Sequence, residues 1–104
     1  MEKKTVVDYD RENDDLFLSK GKGNYEGSVE IGDFIIDFSR NDEIVGIEIM
    51  NASKNLNISK SLLSGIKSAH MNVSQRNQAM IINALLVLKN KKEIRTAIPI
   101  PISN

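Results

Sequence analysis

From Val6 to Ser53 apolar side chains alternate with acidic or small ones, in the run VVDYDRENDDLFLSK…GSVEIGDFIIDFSRNDEIVGIEIMNAS. Successive side chains of a strand point to opposite faces, so this alternation specifies antiparallel strands with one dry and one wet face. It is cleanest at Phe34, Ile36 and Phe38 and again at Val45, Ile47 and Ile49, six side chains assigned to the core. Asp33, Asp37, Gly46 and Glu48 then face the other way. A one-residue slip would bury carboxylates without partners, at several kcal/mol, so the register is firmly set.

Turn chemistry divides the run into strands at 5–10, 15–19, 27–31, 33–39 and 44–50. The turn at 10–14 is built of Asp, Arg, Glu and Asn, and Asp and Asn bond readily to their own backbone. Gly32 permits a tight reversal, and 20–24, with two glycines, reads as a mobile loop. The period then changes. Ile58, Leu62, Leu63, Ile66 and Ala69 fall at helical spacing behind Asn57, a good N-cap, and predict one short helix with Gly65 inside it. Strands return at 70–76, 79–88 and 93–102, with Asn90-Lys91-Lys92 as a hairpin turn. The apolar run 80–88 suits a buried helix as well as a strand. The alternation Ile94, Thr96, Ile98, Ile100, Ile102 nevertheless calls for a partner strand. Pro99 and Pro101 lack donors on the same edge, which places the last strand outermost with the prolines facing away. The expected fold is α+β and mainly antiparallel: a β-meander of about five strands, one short helix, then a C-terminal β-hairpin, in a single domain over 1–104.

A chain of 104 residues can bury about two-thirds of its extended-chain surface. It has no cysteine, which excludes disulfides, thiol catalysis and cysteine-bound metal clusters. No apolar stretch is long enough to span a bilayer, and the first residues lack the apolar core of a signal peptide, so a cytoplasmic location is expected. Net charge is zero but unevenly shared. Residues 1–53 hold six basic and thirteen acidic residues, a net of −7; residues 54–104 hold eight basic residues and one acid, a net of +7. Within one fold the two halves partly neutralise each other, or neighbouring subunits.

Residues 6–53 also resemble a family known as domain of unknown function 2283. The resemblance is carried by Tyr9-Asp10, Asp14-Asp15-Leu16-Phe17, Phe34-Ile35-Ile36-Asp37-Phe38 and Val45-Gly46-Ile47-Glu48-Ile49-Met50-Asn51-Ala52-Ser53. Phe17 departs from it where a tyrosine is usual, as does Asn41-Asp42-Glu43 where a glycine-containing turn is common. The C-terminal half looks like an extension found in longer members. The resemblance implies a fold type and no established activity. Members can be encoded beside toxin-like proteins, which implies an antitoxin-like, partner-binding role by association alone.

Candidate chemistry is sparse. Asp8, Asp10, Glu12 and Asp14 alternate, but a calcium loop needs glycine at its sixth position and glutamate at its twelfth. Those positions hold Asn13 and Ser19 when counted from Asp8, and Asp15 and Gly21 when counted from Asp10. Asp8, Glu30, Asp37 and Glu48 are placed together on the wet face, where two carboxylates brought close would raise one pKa. They are read as a partner-facing acidic surface, since five aromatics and no tryptophan leave little to build a sugar cleft. His70 is the only histidine, so a multi-histidine metal site within the chain is impossible. Gly21-Lys22-Gly23 matches no phosphate-binding loop. Lys89, Lys91, Lys92 and Arg95 could touch a nucleic-acid backbone, yet the C-terminal half has no aromatic residue for base stacking.

No catalytic, cofactor-binding or metal residue is assigned. The leading expectation is a non-enzymatic interaction domain. The hairpin carries more apolar residues than one short helix can cover, so a homodimer burying them is expected. An antitoxin-like partner of a basic, co-encoded protein and a weak nucleic-acid-backbone binder are the alternatives.

Overall fold

A computed structural model describes residues 5–20, 25–41 and 43–101. The loop expected at 21–24, the turn residue Asp42 and the strand residue Ile102 lie outside the described residues. In chain order the elements are β1 (Val6–Asp10), β2 (Asp15–Ser19), β3 (Tyr25–Ile31), β4 (Phe34–Ser39), β5 (Ile44–Ile49), α1 (Ala52–Leu56), α2 (Lys60–Ser64), β6 (Ile66–Arg76), β7 (Ala79–Leu88) and β8 (Glu93–Pro101). All strand pairs are antiparallel. The α+β class and the dominance of antiparallel sheet are as expected, and 79–88 is a strand.

The strand order corrects the expected β-meander. The larger sheet runs β1-β2-β5-β4-β3, so β5 lies against β2 and β3 is sent to the edge, in Greek-key fashion. Local turns give the hairpins β1–β2, β3–β4 and β4–β5, but nothing local specifies that β2 takes β5 as its second neighbour. Gly32, at φ +57, makes the two-residue reversal between Ile31 and Phe34. The C-terminal hairpin is likewise part of something larger, a three-stranded sheet ordered β6-β7-β8. Its β6–β7 turn places Asn77 at φ 55, a left-handed conformation that asparagine tolerates better than most residues. Strand β8 is an edge, as its prolines require. A bridge between Thr5 and Ala69 joins the β1 edge of the large sheet to β6 of the small one.

Between the sheets lies one core. Leu16, Leu18, Ile36, Ile47 and Ile49 meet Ala69, Met71, Ile82, Ala84, Leu86, Ile98 and Ile100, and Ala52, Ile58 and Leu63 from the helical segment complete it. Phe34 and Phe38 pack at its margin. Val45 does not join them. A bulge opposite Asp37 and Phe38 pairs Phe38 with Ile44, so Ile44 is buried and Val45 is set aside. An inserted residue reverses the faces of all that precede it, which strict alternation cannot register.

The single expected helix is two. Asn57 does not start it; at φ 56 it ends α1. Ser59 caps α2, its hydroxyl accepting from the Leu62 backbone N–H at 3.2 Å, and Gly65 terminates α2 rather than lying inside it. Ile66 and Ala69 already belong to β6. Five-residue helices have little stability of their own, so the contacts of Ala52 and Leu63 with the core decide where they form. Among the described residues no helix is long and apolar enough to cross a membrane.

Candidate functional site

Three places carry the side chains singled out by sequence. The first gathers residues far apart in the chain. Asp14 closes the β1–β2 turn at φ 55. Its carboxylate accepts from the Tyr9 hydroxyl at 2.6 Å, from the Ser53 hydroxyl at 2.7 Å and from the Ser53 backbone N–H at 3.1 and 3.2 Å. Its main-chain carbonyl accepts from the Ala52 N–H at 2.9 Å. Asn51, the residue before α1, makes no side-chain cap, so Asp14 caps that helix from 39 residues away. Burial alone would raise the Asp14 carboxyl, but the bonds from Tyr9 and Ser53, with the Lys60 cation beyond, hold it below the usual carboxylate range. Burial and the Asp14 carboxylate together push the Tyr9 phenol up to about 12. A serine, an aspartate and a tyrosine in contact invite a catalytic reading, but every donor here points at one carboxylate held in its ionised form. Such a carboxylate is a poor base and leaves Ser53 without an activator. The cluster is a latch.

A second carboxylate steadies the other side of the same helix. Asp33 accepts from the amides of Asn55 at 3.0 Å and Asn51 at 3.4 Å, and these bonds lower its pKa. Asn55 also reaches the Met50 carbonyl at 2.7 Å.

The acidic residues of the wet face form the second place. Register puts Asp8, Phe17, Glu48, Ile35 and Glu30 in one row across the large sheet. Asp37 lies one row along, accepting from the Ser28 hydroxyl at 2.6 Å. The four expected carboxylates therefore share a face. Asp8, Glu48 and Glu30 do not converge: Glu48 stands two strands, about 10 Å, from each of the other two, with Phe17 and Ile35 between them, and of the four only Asp37 lies diagonal to it on the neighbouring strand. Gly46 leaves room beneath Asp37, since a Cβ there would sit 3.1 Å from the Asp37 carboxylate and 3.2 Å from the Leu18 carbonyl and press on both. Asp10 and Asp15 flank the same face, and Asp10 is occupied with Asn13 in its turn. Among the described residues no group of three or more histidine, cysteine, aspartate or glutamate side chains is placed to hold a metal.

Glu48, at the centre, has its pKa raised by partial burial first, then by the charge and hydrogen bond of Asp15 and the charge of Asp37. A carboxyl raised in the folded state contributes stability that is complete below its ordinary pKa and is lost as pH rises through the raised one. Glu48→Gln, which keeps the neutral form, is therefore expected to add roughly 0.5 kcal/mol at neutral pH. The gain should vanish in acid, and urea titrations at the two pH values measure it.

The third place is the outer face of the small sheet, which the sequence marks only by a surplus of apolar residues. Ala79, Ile81, Leu85 and Val87 lie on it, outside the core and only part-buried. Beside them β6 supplies His70, Asn72, Ser74 and Arg76, and β8 supplies Arg95, Ala97 and Pro99. Asn83 stands in the middle, its amide donating to the Asn72 side chain at 3.1 Å and to the Ser74 hydroxyl at 3.2 Å. Two adjoining hollows of about 360 and 430 Å³ open on this face. His70 is exposed and aligned with Leu85 and Arg95, so it is neither buried nor backed by a carboxylate. Lys89, Lys91 and Lys92 are exposed at the β7–β8 turn, while Arg95 faces Glu93 at 3.6 Å. The lone asparagine inside an apolar run was the one sequence signal for Asn83, and by itself it names no role.

Two antiparallel sheets closed over one core, with acids spread on one outer face and an apolar strip on the other, define a small α+β domain whose motif residues hold the fold. Residues 6–53 match the family described as "Protein of unknown function (DUF2283)", and the remainder of the chain lies outside that match. An "Uncharacterized protein" of Methanocaldococcus jannaschii is 38% identical over 93 residues, covering 88% of this chain and 80% of that one. A Methanosarcina mazei protein named "Putative hypoxanthine phosphoribosyltransferase" is 34% identical over 89 residues, 84% of this chain and 72% of that one. Both similarities are longer than the family segment and so extend into the C-terminal half. No solved structure matches.

Proposed function

We propose that this chain is a small, non-enzymatic interaction domain that self-associates through the outer face of its three-stranded sheet. The observation that carries the reading is the strip of Ile81, Leu85 and Val87, flanked by Ala97 and Pro99, on a face that the core does not use. Strand spacing and rise make this face about 15 by 30 Å. That is smaller than the roughly 800 Å² each partner of a stable complex contributes, so a dissociation constant in the micromolar range is expected. Pro99 and Pro101 remove donors from the β8 edge, which favours contact by the face over contact by the edge. The absence of cysteine suits a reducing, cytoplasmic setting.

Phosphoribosyl transfer, the activity in the name of the Methanosarcina mazei relative, needs groups that hold phosphates. Neither short helix of the described residues opens on a glycine-rich turn that could cradle a phosphate, α1 following Met50-Asn51 and α2 following Ile58-Ser59, and that supports a non-enzymatic reading. A second reading, a basic partner protein on the acidic face, is favoured by Asp8, Asp15, Glu30, Asp37 and Glu48, which pair with no cation of the described residues.

Sedimentation velocity from low to several hundred micromolar tests the leading reading. The wild type should pass from monomer to dimer. Leu85→Arg should stay monomeric with an unchanged far-ultraviolet spectrum. A wild type that remains monomeric throughout contradicts it.

A further inference from the structure

We propose that this self-association is a two-fold dimer whose axis passes through Asn83, with the two β7 strands antiparallel across the interface; the inference rests on the reading above. Asn83 is the middle one of the outward-facing residues of the middle strand, in the third of five rows that face outward on the small sheet. Along β7 those rows read Ala79, Ile81, Asn83, Leu85, Val87. The order is nearly palindromic about the asparagine: large branched apolar residues on either side of it, smaller ones at the ends.

A two-fold contact must be self-complementary, because each residue meets the symmetry mate of its own counterpart. Rotation about an axis at Asn83, lying between the sheets and across the strands, sets Ile81 over the partner's Leu85 and Ala79 over the partner's Val87. Asparagine then meets asparagine. The flanks follow: Arg95 lies over the partner's Pro99, and Arg76 over the partner's Ser68, so no cations are opposed. An axis along the strands would instead set each β7 residue over its own copy and bring His70 over the partner's Arg95, a crowding of basic side chains that the axis across the strands avoids. Sheets packed face to face are rotated by about 30°, which displaces the ends of the strands and leaves the centre in place.

Asparagine is a poor strand residue and costly in an apolar strip, so its position calls for a role. Tied to Asn72 and Ser74, its amide is already oriented before any partner arrives. A polar group buried at one point of an apolar contact specifies register, because any slip leaves it facing apolar groups.

Complementary charges test the axis. Asn83→Asp and Asn83→Lys each place like charges against each other, and each alone should weaken self-association tenfold or more. Mixed in equal amounts, they should restore the wild-type dimer mass. If the mixture stays monomeric while the wild type dimerises, the axis is wrong and the interaction domain stands; if the wild type itself never dimerises, both fall. The chain has no cysteine, so one engineered thiol gives a readout independent of charge. A short bis-maleimide should couple two copies of Asn83→Cys and fail to couple Ala79→Cys, whose thiols lie far apart along antiparallel strands. Equal coupling of the two variants overturns the proposal.

Discussion

Asp14→Asn is expected to remove about 2–3 kcal/mol of stability, which for a domain of this size lowers the melting temperature by on the order of 10 °C or more. The substitution isolates the charge, since asparagine accepts the left-handed backbone at this turn as readily as aspartate does. What is lost is the ionised acceptor that gathers the Tyr9 hydroxyl, the Ser53 hydroxyl and the Ser53 N–H at the start of α1. Tyr9→Phe should cost about 1 kcal/mol, and the double variant less than the two single losses together, because both remove one bond. The effect also has a definite pH dependence. A carboxylate held below its unfolded pKa contributes stability that is present above that ordinary value and is lost as pH falls through the depressed one. The difference between wild type and Asp14→Asn should therefore be largest at neutral pH and shrink in acid. A constant difference across that range would mean that the charge of Asp14 has no part in the latch.

Ile82→Ala should have the largest effect of all, about 3–4 kcal/mol. Ile82 is fully buried on the inner face of β7, in the core formed with Leu16, Leu18, Ile36, Ile47 and Ile49 of the other sheet. The way the protein melts is as informative as the size of the loss. With the core shared by both sheets and their edges joined at Thr5 and Ala69, the variant should still unfold in one transition, moved as a whole. Calorimetry showing two transitions, one of them unmoved, would instead make residues 6–53 a unit that folds without the C-terminal half.

Much of this fold is legible in the sequence, because period-two alternation reports a physical asymmetry between oil and water. The inward set of Phe34, Ile36, Phe38, Ile47 and Ile49 follows from it directly, the strand at 79–88 follows from the alternation of its partner β8, and the edge position of β8 follows from Pro99 and Pro101. The failures have separate physical causes. Val45 and Ile44 exchange places because one inserted residue shifts the phase. The helical pattern read from Asn57 to Ala69 contains a left-handed asparagine, a cap, a glycine terminator and the start of a strand, and apolar spacing is blind to all four. The pairing of β2 with β5 is a long-range choice that depends on the whole core.

The sites were legible to different degrees. Alternation alone placed Asp8, Glu30, Asp37 and Glu48 on one face, and the register agrees. The residues that carry the family resemblance were legible as a pattern but not as a mechanism. Tyr9, Asp14, Ala52 and Ser53 converge on one latch, and Gly46 makes room for Asp37. A motif of this kind marks what the fold needs. The proposed contact face has no such signature: Ile81, Asn83 and Leu85 become a strip only once β7 is flanked by β6 and β8.

Solvent paramagnetic relaxation of side-chain methyl groups, read at low and at high protein concentration, probes both outer faces in one experiment. With self-association through the small sheet, the methyl signals of Ile81, Leu85 and Val87 lose their broadening as concentration rises, while Val6, 57% exposed on the acidic face, keeps its own. Unchanged broadening at Ile81, Leu85 and Val87, or protection appearing at Val6 instead, would contradict the assignment of the small-sheet face as the working surface.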